Sequence, residues 1–516
     1  MVFPSSDAEL VLVASRAALV KVNVTAPTSP ATKPSGVLRI EDSSGALLRE
    51  IALSAPSGSL PNSAPTRPSF ADSYSATLPA DLVRSSIRIR PLFTPAATNA
   101  LTVTPRVGGG VALQVVAVPV QIGSTVGQIV TDPEGYLGAR LPAAQITRSN
   151  HAPMVSALVT QLPSTADEWS TAFSRILGEV DDLHLLENAT SHTHYYGFIP
   201  KHTSGLAGLG YRPGNAAVGF DVPTSPNSVR EAMVHEIGHN LSLRHAPCGG
   251  ADGADPNYPY ANATMGAGNR FIWGYDATGA RFIDPTPSTV HDVMSYCSGN
   301  WFSDYNYRLM QVFLTPADRT LSASGDRAQA MAAGDTQELL VISGEVDAQG
   351  LRVNPVKSTL GTPRLPDAGP YLLRITTQAG AVIEQRFATR EVDHDGGRER
   401  FGFTIAHPGA IDRLEVLRDG RLVHQRAARA RALAAPSAAA PPTVQASEQG
   451  GMLDLHWDAT RHAYLTVSHI GAVRTVIGVD LRSGAASLPI AALPAGGQFE
   501  FGLSDGLNTQ RLARAR

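Results

Sequence analysis

The sequence predicts a multidomain protein in which an α+β domain is flanked by all-β sandwich modules. Its length of 516 residues exceeds what one hydrophobic core usually supports. Helical spacing of apolar residues is confined to the middle third, whereas the first and last thirds alternate short apolar segments with Ser, Pro and Gly clusters. A hydrophobic content of 43% is enough to build several separate cores.

Changes in composition along the chain predict where the domains begin and end. The triple glycine Gly108-Gly109-Gly110, followed by an apolar run, marks the start of the α+β domain, and the Ala- and Pro-rich stretch near residue 430 is typical of a linker. The predicted division is 1–108 for an N-terminal β-sandwich accessory domain, 109–320 for the α+β domain, 321–426 for a β-rich accessory domain, 427–442 for the linker and 443–516 for a C-terminal β-sandwich of the fibronectin or immunoglobulin type.

The central domain is predicted to contain two helices and several strands. Apolar residues recur every three or four positions from Thr165 to Leu186, which is the period of an amphipathic helix. A second helix is predicted from Ser228 to Leu243, because Ser228 and Glu231 form a capping-box pattern at its start. The predicted strands include Val111–Val120, His194–Ile199 and Ala216–Phe220.

Charge and cysteine count exclude several classes of partner and of metal site. A formal net charge of -3 provides no basic field for nucleic acid, and no apolar run reaches the length of about 18 residues that a membrane span needs. The start Met1-Val2-Phe3-Pro4 lacks a signal-peptide pattern, so any signal peptide is expected to be missing from this sequence. With Cys248 and Cys297 as the only cysteines, a metal would be held by His and carboxylate groups.

The most informative segment runs from His235 to His245 on the second predicted helix and beyond it. His235 and His239 are four residues apart, so they lie on the same side of a helix and can bind one zinc ion together. Glu236 is placed to accept a proton from a water at the metal without being a ligand itself. His245 follows six residues after His239, where a chain that has left its helix can supply a third ligand.

Two other interpretations of this segment are weaker. A solvated amphipathic helix that happens to carry histidines does not explain why three of them occur at ligand spacing. A zinc site with a downstream glutamate as third ligand is disfavoured, because no Glu follows Glu236 until Glu338.

The spacing of these three histidines resembles that of the metzincin zinc proteases. The segment Asp292-Val293-Met294-Ser295-Tyr296 resembles the Met-turn of that superfamily, in which a methionine lies beneath the zinc. The resemblance implies that Met294 forms an apolar floor for the metal and that Tyr296 contacts the metal or stabilises the oxyanion. A packed tyrosine with a purely structural role is the alternative for Tyr296.

Within the metzincins, the sequence is most similar to the StcE-like secreted zinc proteases, which cleave mucin-type O-glycoproteins. The similarity covers about residues 109–318 and is carried by His194–Ile199, Gly205–Gly210, the histidine helix and the segment that ends with Tyr296-Cys297. It implies a secreted zinc endopeptidase that acts on O-glycosylated proteins. One departure is Ser242, where metzincins usually have a glycine at a sharp turn, and a non-glycine residue at positive φ costs about 1 kcal/mol.

The two cysteines lie close in sequence to the predicted site. Cys248 follows His245 by three residues and Cys297 follows Met294 by three, so a bridge would join the third-ligand loop to the Met-turn. Closing a loop of this length stabilises a fold by about 4 kcal/mol. We therefore predict the bridge, with two free thiols as the alternative, and an oxidising, extracellular location.

The predicted function is hydrolysis of peptide bonds in a protein or glycoprotein, by a monomeric enzyme. Gly205–Gly210 is expected to be an edge strand that pairs with an extended substrate, with an ordinary glycine-rich loop as the alternative. The alternative functions are a general secreted metallopeptidase without glycan preference and a non-catalytic adhesin with a structural zinc site.

Two oxygen-rich loops could also hold calcium, although solvated turns have the same composition. Their oxygen-bearing residues are Asp252, Asp255 and Asn257 in one loop and Asp393 and Asp395 in the other.

Overall fold

The part of the chain that can be described covers most of the sequence. The structure, a computed structural model, describes residues 1–28, 31–96, 101–200, 205–315, 336–394, 397–428 and 443–516. Most of the predicted linker at 427–442, the predicted boundary at 320 and the candidate calcium ligand Asp395 lie outside these residues.

Strands dominate the described residues and helices are few. The helices are α1 (Pro133–Arg140), α2 (Ala166–Leu186), α3 (Pro226–Asn240) and α4 (Asp304–Leu314). The strands are β1 (Ala18–Val22), β2 (Ser35–Glu41), β3 (Leu47–Ala52), β4 (Tyr74–Leu78), β5 (Arg88–Thr94), β6 (Ala112–Ile122), β7 (Thr125–Val126), β8 (Gln145–Asn150), β9 (Met154–Val155), β10 (Thr193–Ile199), β11 (Gly208–Arg212), β12 (Ala216–Phe220), β13 (Gly274–Asp276), β14 (Arg281–Ile283), β15 (Gln337–Asp347), β16 (Gly350–Val353), β17 (Lys357–Gly361), β18 (Tyr371–Thr377), β19 (Val382–Phe387), β20 (Arg390–Val392), β21 (Glu399–Ala406), β22 (Ile411–Arg418), β23 (Arg421–Ala427), β24 (Val444–Gln449), β25 (Met452–Trp457), β26 (Tyr464–Ile470), β27 (Arg474–Leu481), β28 (Ala485–Pro489), β29 (Gln498–Ser504) and β30 (Thr509–Ala515). Within the described ranges, no helix combines the length and the apolar character that crossing a bilayer would require.

Helix α2 forms where the apolar spacing predicts it. Thr165 accepts a hydrogen bond from the backbone N–H of Glu168, and the Glu168 side chain accepts one from the backbone of Thr165, which completes a capping box. Its apolar face is buried, with Phe173 and Ile176 both 0% exposed. The predicted boundaries are therefore confirmed to within one residue at the start.

Helix α3 differs from the prediction at both ends. It begins at Pro226 with Ser225 as N-cap, so the predicted capping box of Ser228 and Glu231 is wrong. Proline suits the first helical position because its fixed φ is already helical and its missing N–H would have no partner there. The helix ends at Asn240 rather than Leu243, because Ser242 adopts a φ of 76°.

The described chain divides into two compact units that alternate along the sequence. The first unit comprises Met1–Leu113, Glu134–Thr147 and Leu243–Asp318, and the second comprises Gln114–Pro133, Arg148–Ser242 and Arg319–Arg516. The serial domain boundaries drawn from the sequence stay a prediction.

The N-terminal part of the first unit is built from two small sheets. Strand β1 pairs with β4, and β2 pairs with β3 and β5, all antiparallel. Leu38, Ile40, Tyr74 and Leu78 are all 0% exposed and belong to one apolar cluster. The short alternating segments of this region thus form the β structure that the sequence predicts.

The second unit contains the sheet on which α3 lies. Strands β6, β10 and β12 are parallel, β11 is antiparallel to β12, and their order is β11-β12-β10-β6. Strand β10 is buried along its whole length, and α2 and α3 pack on the sheet. Parallel strands covered by helices account for the continuous apolar runs in β6 and β10.

Two further β modules belong to the second unit. One pairs β16-β15-β21-β20, with β17 beside β15, and β19-β18-β22-β23, around a core of its own. The other has the sheets β24-β25-β28 and β27-β26-β29-β30 around a second core. Both have the two-sheet arrangement of a sandwich, in agreement with the period-2 patterns of the sequence.

A buried group of charges joins α2 to both modules. Lys357 of β17 is 2% exposed, and its Nζ lies 3.1 Å from an oxygen of Asp182 and 2.8 Å from one of Asp480. Arg400 of β21 lies 2.8 Å from Asp182 and 3.2 Å from Asp181. Burial lowers the pKa of Lys357, but the two carboxylates outweigh it and hold this pKa above its usual range.

The first prediction concerns this group of charges. Lys357→Met is expected to lower the free energy of unfolding by about 3 kcal/mol, because it leaves two buried carboxylates without their shared cation. Arg374→Met, which breaks an exposed pair with Glu384, is the control and should change it by less than about 0.5 kcal/mol. Chemical denaturation followed by circular dichroism measures both, and equal losses would contradict the prediction.

Candidate metal centre and active site

The two histidines of α3 lie side by side at the C-terminal end of the helix. His235 Nε2 and His239 Nε2 are 3.1 Å apart, and the two rings meet edge to face. His239 is 0% exposed, whereas His235 is partly buried. The spacing of four residues therefore brings the two ring nitrogens together, as the sequence predicts.

A carboxylate and a third imidazole from a distant part of the sequence lie beside them. Asp393 Oδ2 is 2.9 Å from His239 Nε2 and 2.8 Å from His394 Nε2. The ring of His394 stacks on that of His235, with the ring centroids 6.2 Å apart. One ligand atom from each of His235, His239, Asp393 and His394 lies within 4.8 Å of all the others.

The donor set fits a zinc ion. Zinc takes imidazole nitrogens and carboxylate oxygens at about 2.0–2.2 Å, so neighbouring ligand atoms of a tetrahedral site are about 3.3 Å apart. The distances of 3.1 Å between the nitrogens of His235 and His239 and of 2.9 Å from His239 to Asp393 are close to that value. A cation would also compensate the negative charge that Asp393 brings next to the rings.

Glu236 lies between the helix and strand β11. It is 2% exposed, and a Cβ atom added at Gly208 would lie 2.6 Å from both its Cγ and its Oε1. Only glycine at 208 lets the carboxyl group occupy this place. Burial raises the pKa of Glu236 well above its usual range, and the neighbouring Asp393 carboxylate raises it further.

Asn240 fixes the end of α3 to the sheet. Its side-chain amide donates hydrogen bonds to the carbonyl of Tyr211 at 3.0 Å and to that of Ala216 at 2.9 Å. Its side-chain oxygen lies 3.3 Å from Nδ1 of His194. Since Asn240 follows His239 directly, these bonds fix the position of the two histidines relative to β11 and β12.

The sharp turn expected after the helix is present. Ser242 has a φ of 76°, in the left-handed region that favours glycine, and its N–H donates to the carbonyl of His239 at 2.8 Å. The next residue, Leu243, is the first residue of the last segment of the first unit.

His245 and Tyr296 lie next to each other in the first unit. His245 is 1% exposed, and its Nδ1 is 2.5 Å from the carbonyl oxygen of Asp252. That carbonyl can only accept, so Nδ1 carries the proton and Nε2 offers its lone pair. The hydroxyl of Tyr296 lies 3.2 Å from this Nε2, and Tyr296 is 37% exposed. Both interpretations of Tyr296, as a catalytic residue and as a structural one with a satisfied hydroxyl, stay predictions.

The segment around Met294 forms a tight turn organised by Asp292. The buried Asp292 carboxylate accepts from the N–H of Met294 at 2.8 Å and from the N–H of Ser303 at 2.7 Å. Burial raises the pKa of Asp292, and its hydrogen bonds oppose that shift. Met294 itself is 0% exposed.

The His245 loop and the Met294 turn are tied together at several points. The Ala246 N–H donates to the carbonyl of Met294 at 2.9 Å, and the Tyr296 N–H donates to that of Cys248 at 3.3 Å. Cys248 and Cys297 form a disulfide, with their Cα atoms 5.8 Å apart. The predicted bridge is therefore confirmed.

The oxygen-rich loop after His245 has contacts within the protein. The Asp255 carboxylate accepts from the N–H of Asn257 at 2.9 Å and from the hydroxyl of Tyr305 at 2.8 Å, while Asp252 holds His245 through its carbonyl. These contacts give the loop a positioning role, and calcium binding there stays a prediction.

Sequence reasoning missed the approach of Asp393 and His394 to the histidine helix. The sequence pattern identifies Asp393 only as a candidate calcium ligand, and nothing in its spacing from α3 connects it with the helix. It also missed Asn240, for which the adjacency to His239 was the available signal.

The strand expected within Gly205–Gly210 begins at Gly208, and its pairing with a substrate stays a prediction. Strand β11 covers Gly208–Arg212, and its outer side is occupied from Gly210 onward, where Asp393 N–H donates to the Gly210 carbonyl at 3.1 Å. Tyr211 and Arg212 then pair with Val392 and Glu391 of β20.

Comparison with known families supports a peptidase. The family model described as Peptidase M66 matches residues 127–312. This range is a little over a third of the chain and contains α3, His245 and the Met294 turn. Over this range the chain is therefore similar to a metalloprotease family. No curated protein shows significant similarity to the chain.

The turn at Ser242 leads to a test of the backbone. Ser242→Gly is expected to leave stability unchanged or to raise it by up to about 1 kcal/mol, because relief of strain of about 1–2 kcal/mol outweighs an entropy cost of about 0.4–1 kcal/mol. Ser228→Gly, inside α3, is the matched control and should lose roughly 0.5 kcal/mol. Thermal unfolding measures both variants, and a melting temperature of Ser242→Gly clearly below wild type would refute the expectation.

The disulfide leads to a second test in this region. Replacing Cys248 and Cys297 by alanine, or reducing them, is expected to lower the free energy of unfolding by about 4 kcal/mol, because the open chain of the unfolded state regains its freedom. Calorimetry of oxidised, reduced and double-variant protein measures the loss. Two reactive thiols in the denatured, unreduced protein would show that the bridge does not form.

Proposed function

We propose that this protein is a zinc-dependent endopeptidase, in which His235, His239 and His245 hold the metal and Glu236 is the general base. The observation that carries the proposal is the pair of Nε2 atoms 3.1 Å apart on α3, next to a buried glutamate. The match to the peptidase family over the same segment supports it independently.

His245 is proposed as the third ligand on its spacing and on its hydrogen bond. Six residues separate it from His239. Its Nδ1 is engaged with the Asp252 carbonyl, which leaves Nε2 as the atom with a lone pair. Metal-binding histidines generally donate their second ring nitrogen to such a partner, which fixes the tautomer and the ring orientation.

The remaining roles follow from position. Zinc, when bound, supplies a Lewis acid that activates water and polarises the scissile carbonyl. Glu236 accepts the proton of the attacking water and delivers it to the leaving amine, and Tyr296, whose hydroxyl neighbours His245 Nε2, donates a hydrogen bond to the oxyanion. Met294, which is buried in the turn next to the His245 loop, is proposed as the apolar floor of the metal site.

The substrate is proposed to be an extended segment of a secreted protein or glycoprotein. Strand β11 is the element that could pair with it, since its glycines let another backbone and the Glu236 carboxyl approach closely. A preference for mucin-like O-glycoproteins is the finer proposal. It derives from the sequence similarity described above, and we expect the enzyme to act outside the cell.

A second candidate function is a non-catalytic adhesin with a structural metal site. The observation that favours it is Asp393, which lies 2.9 Å from His239 and would complete four protein ligands, as structural zinc sites do. A peptidase without glycan preference is the third candidate.

The test of the proposed function separates metal binding from catalysis. Glu236→Gln should retain stoichiometric zinc and lose activity by at least about 10²-fold, because it removes proton transfer and no ligand. His239→Ala should lose both. Glu231→Ala, on the same helix, is the control and should keep both. Zinc content by elemental analysis and peptide hydrolysis are measured, and full activity in Glu236→Gln would disprove its role as base.

The substrate class is tested by removing glycans from one substrate. A mucin-like glycoprotein is compared before and after enzymatic deglycosylation, with and without chelator. Cleavage only of the glycosylated form supports the finer proposal, equal cleavage supports the general peptidase, and no cleavage of either form together with tight zinc binding supports the adhesin.

A further inference from the structure

We propose that β20 and the residue that follows it, Asp393, keep the active site of the resting enzyme closed: Asp393 takes a ligand position at the metal, and β20 covers the side of β11 where substrate would pair. This inference rests on the proposed function. It predicts that the protein is latent and becomes active when β20 and Asp393 are displaced.

The first step of the argument is the position of the Asp393 carboxylate. Its Oδ2 lies 2.9 Å from His239 Nε2, a distance typical of two ligands on the same zinc ion. His394 Nε2 lies 2.8 Å from the same oxygen. A metal bound by the three proposed histidine ligands and by Asp393 would have four protein ligands. No coordination position would then be left for the water that hydrolysis requires.

The second step is the strand that delivers Asp393. Val392 is opposite Tyr211 and Glu391 is opposite Arg212, so β20 extends the sheet beyond β11. The Asp393 N–H then donates to the carbonyl of Gly210. A peptide that added a strand to β11 would need these same backbone groups, so β20 and substrate compete for one edge.

The third step is the anchoring of the hairpin formed by β20 and β21. Arg390 of β20 lies 3.0 Å from Asp181 of α2, and Arg400 of β21 lies 3.2 Å from the same carboxylate oxygen. Val392 is buried in the apolar cluster that also contains Tyr211. These contacts hold β20 and β21 in place without involving the metal, so Asp393, the residue after β20, is positioned independently of the metal.

The energetic consequence is a population shift. If the closed form is favoured, measured activity is reduced by the fraction of molecules that are open. Removing the ligand should therefore raise activity at least about tenfold when fewer than roughly one molecule in ten is open.

Metal binding provides a readout that does not depend on activity. Asp393→Ala should weaken zinc binding at least about tenfold in competition with a chelator, because a ligand is lost. Access to the metal is measured on the cobalt-substituted protein with acetohydroxamate, a small metal chelator. Acetohydroxamate should change the visible spectrum of Asp393→Ala at concentrations at least about tenfold lower than those needed for wild type. Glu384→Ala, an exposed acidic residue of the same module, is the control and should match wild type.

Hydrolysis of a peptide substrate provides the second readout. Asp393→Ala should cleave at least about tenfold faster than wild type. The double variant Asp393→Ala/Glu236→Gln should be inactive, which shows that the gain comes from the same site. Asp393→Asn, which keeps the shape of the side chain, should give a smaller change in the same direction if the alanine variant folds poorly.

The outcomes distinguish this inference from the proposed function. Equal zinc affinity and equal acetohydroxamate response in wild type and both Asp393 variants would overturn the closed-site inference, whatever the activity. If zinc affinity and acetohydroxamate response differ between wild type and the Asp393 variants, but no variant hydrolyses the substrate, the ligand role of Asp393 is supported and the peptidase is refuted. Weaker zinc binding with lower activity in Asp393→Ala would also overturn the inference, since Asp393 would then be needed for catalysis.

Discussion

The close approach of α3 to strand β11 is the constraint on which the rest of the site depends. A side chain larger than hydrogen at Gly208 would occupy the space of the Glu236 carboxyl group, and Gly210 faces the same glutamate. At the C-terminal end of α3, the Asn240 side chain donates hydrogen bonds to the carbonyls of Tyr211 and Ala216. These contacts fix the position of α3 along β11 and its rotation about its own axis. His235 and His239 can therefore face in only one direction.

Strand β11 has a second contact, on its edge opposite β12. An exposed strand edge invites pairing, and proteins generally cover it. Here β20 provides the cover, and the geometry of the sheet then places the next residue, Asp393, beside His239. The pairing of β20 with β11 and the contact of Asp393 with His239 are therefore not independent features. Whatever removes β20 from β11 also withdraws the carboxylate from the histidines.

Local patterns in the sequence predict the elements that local interactions determine. The period of α2, the pairing of His235 with His239, the Cys248–Cys297 bridge and the β structure of both ends follow from spacing. The start of α3 differs from the prediction because Pro226 takes the first helical position, which makes Ser225 the N-cap and places Ser228 and Glu231 inside the helix. The approach of Asp393 could not be predicted, because it depends on a pairing between strands about 180 residues apart along the chain, which leaves no periodic signal. The linker at 427–442 and the zinc ion itself stay predictions.

The choice between a structural and a catalytic metal site depends on Glu236. Its Oε2 is buried and has no hydrogen-bond partner among the described residues, and burying such a group without a partner costs about 1–3 kcal/mol. A purely structural metal site would not need the buried Glu236, since Asp393 is already close enough to His239 to supply a carboxylate ligand. A general base, in contrast, must be shielded from bulk solvent and must lie close to the metal without binding it. The two proposals together account for two carboxylates at one pair of histidines, because they assign Asp393 to a closed state of the enzyme and Glu236 to an open one.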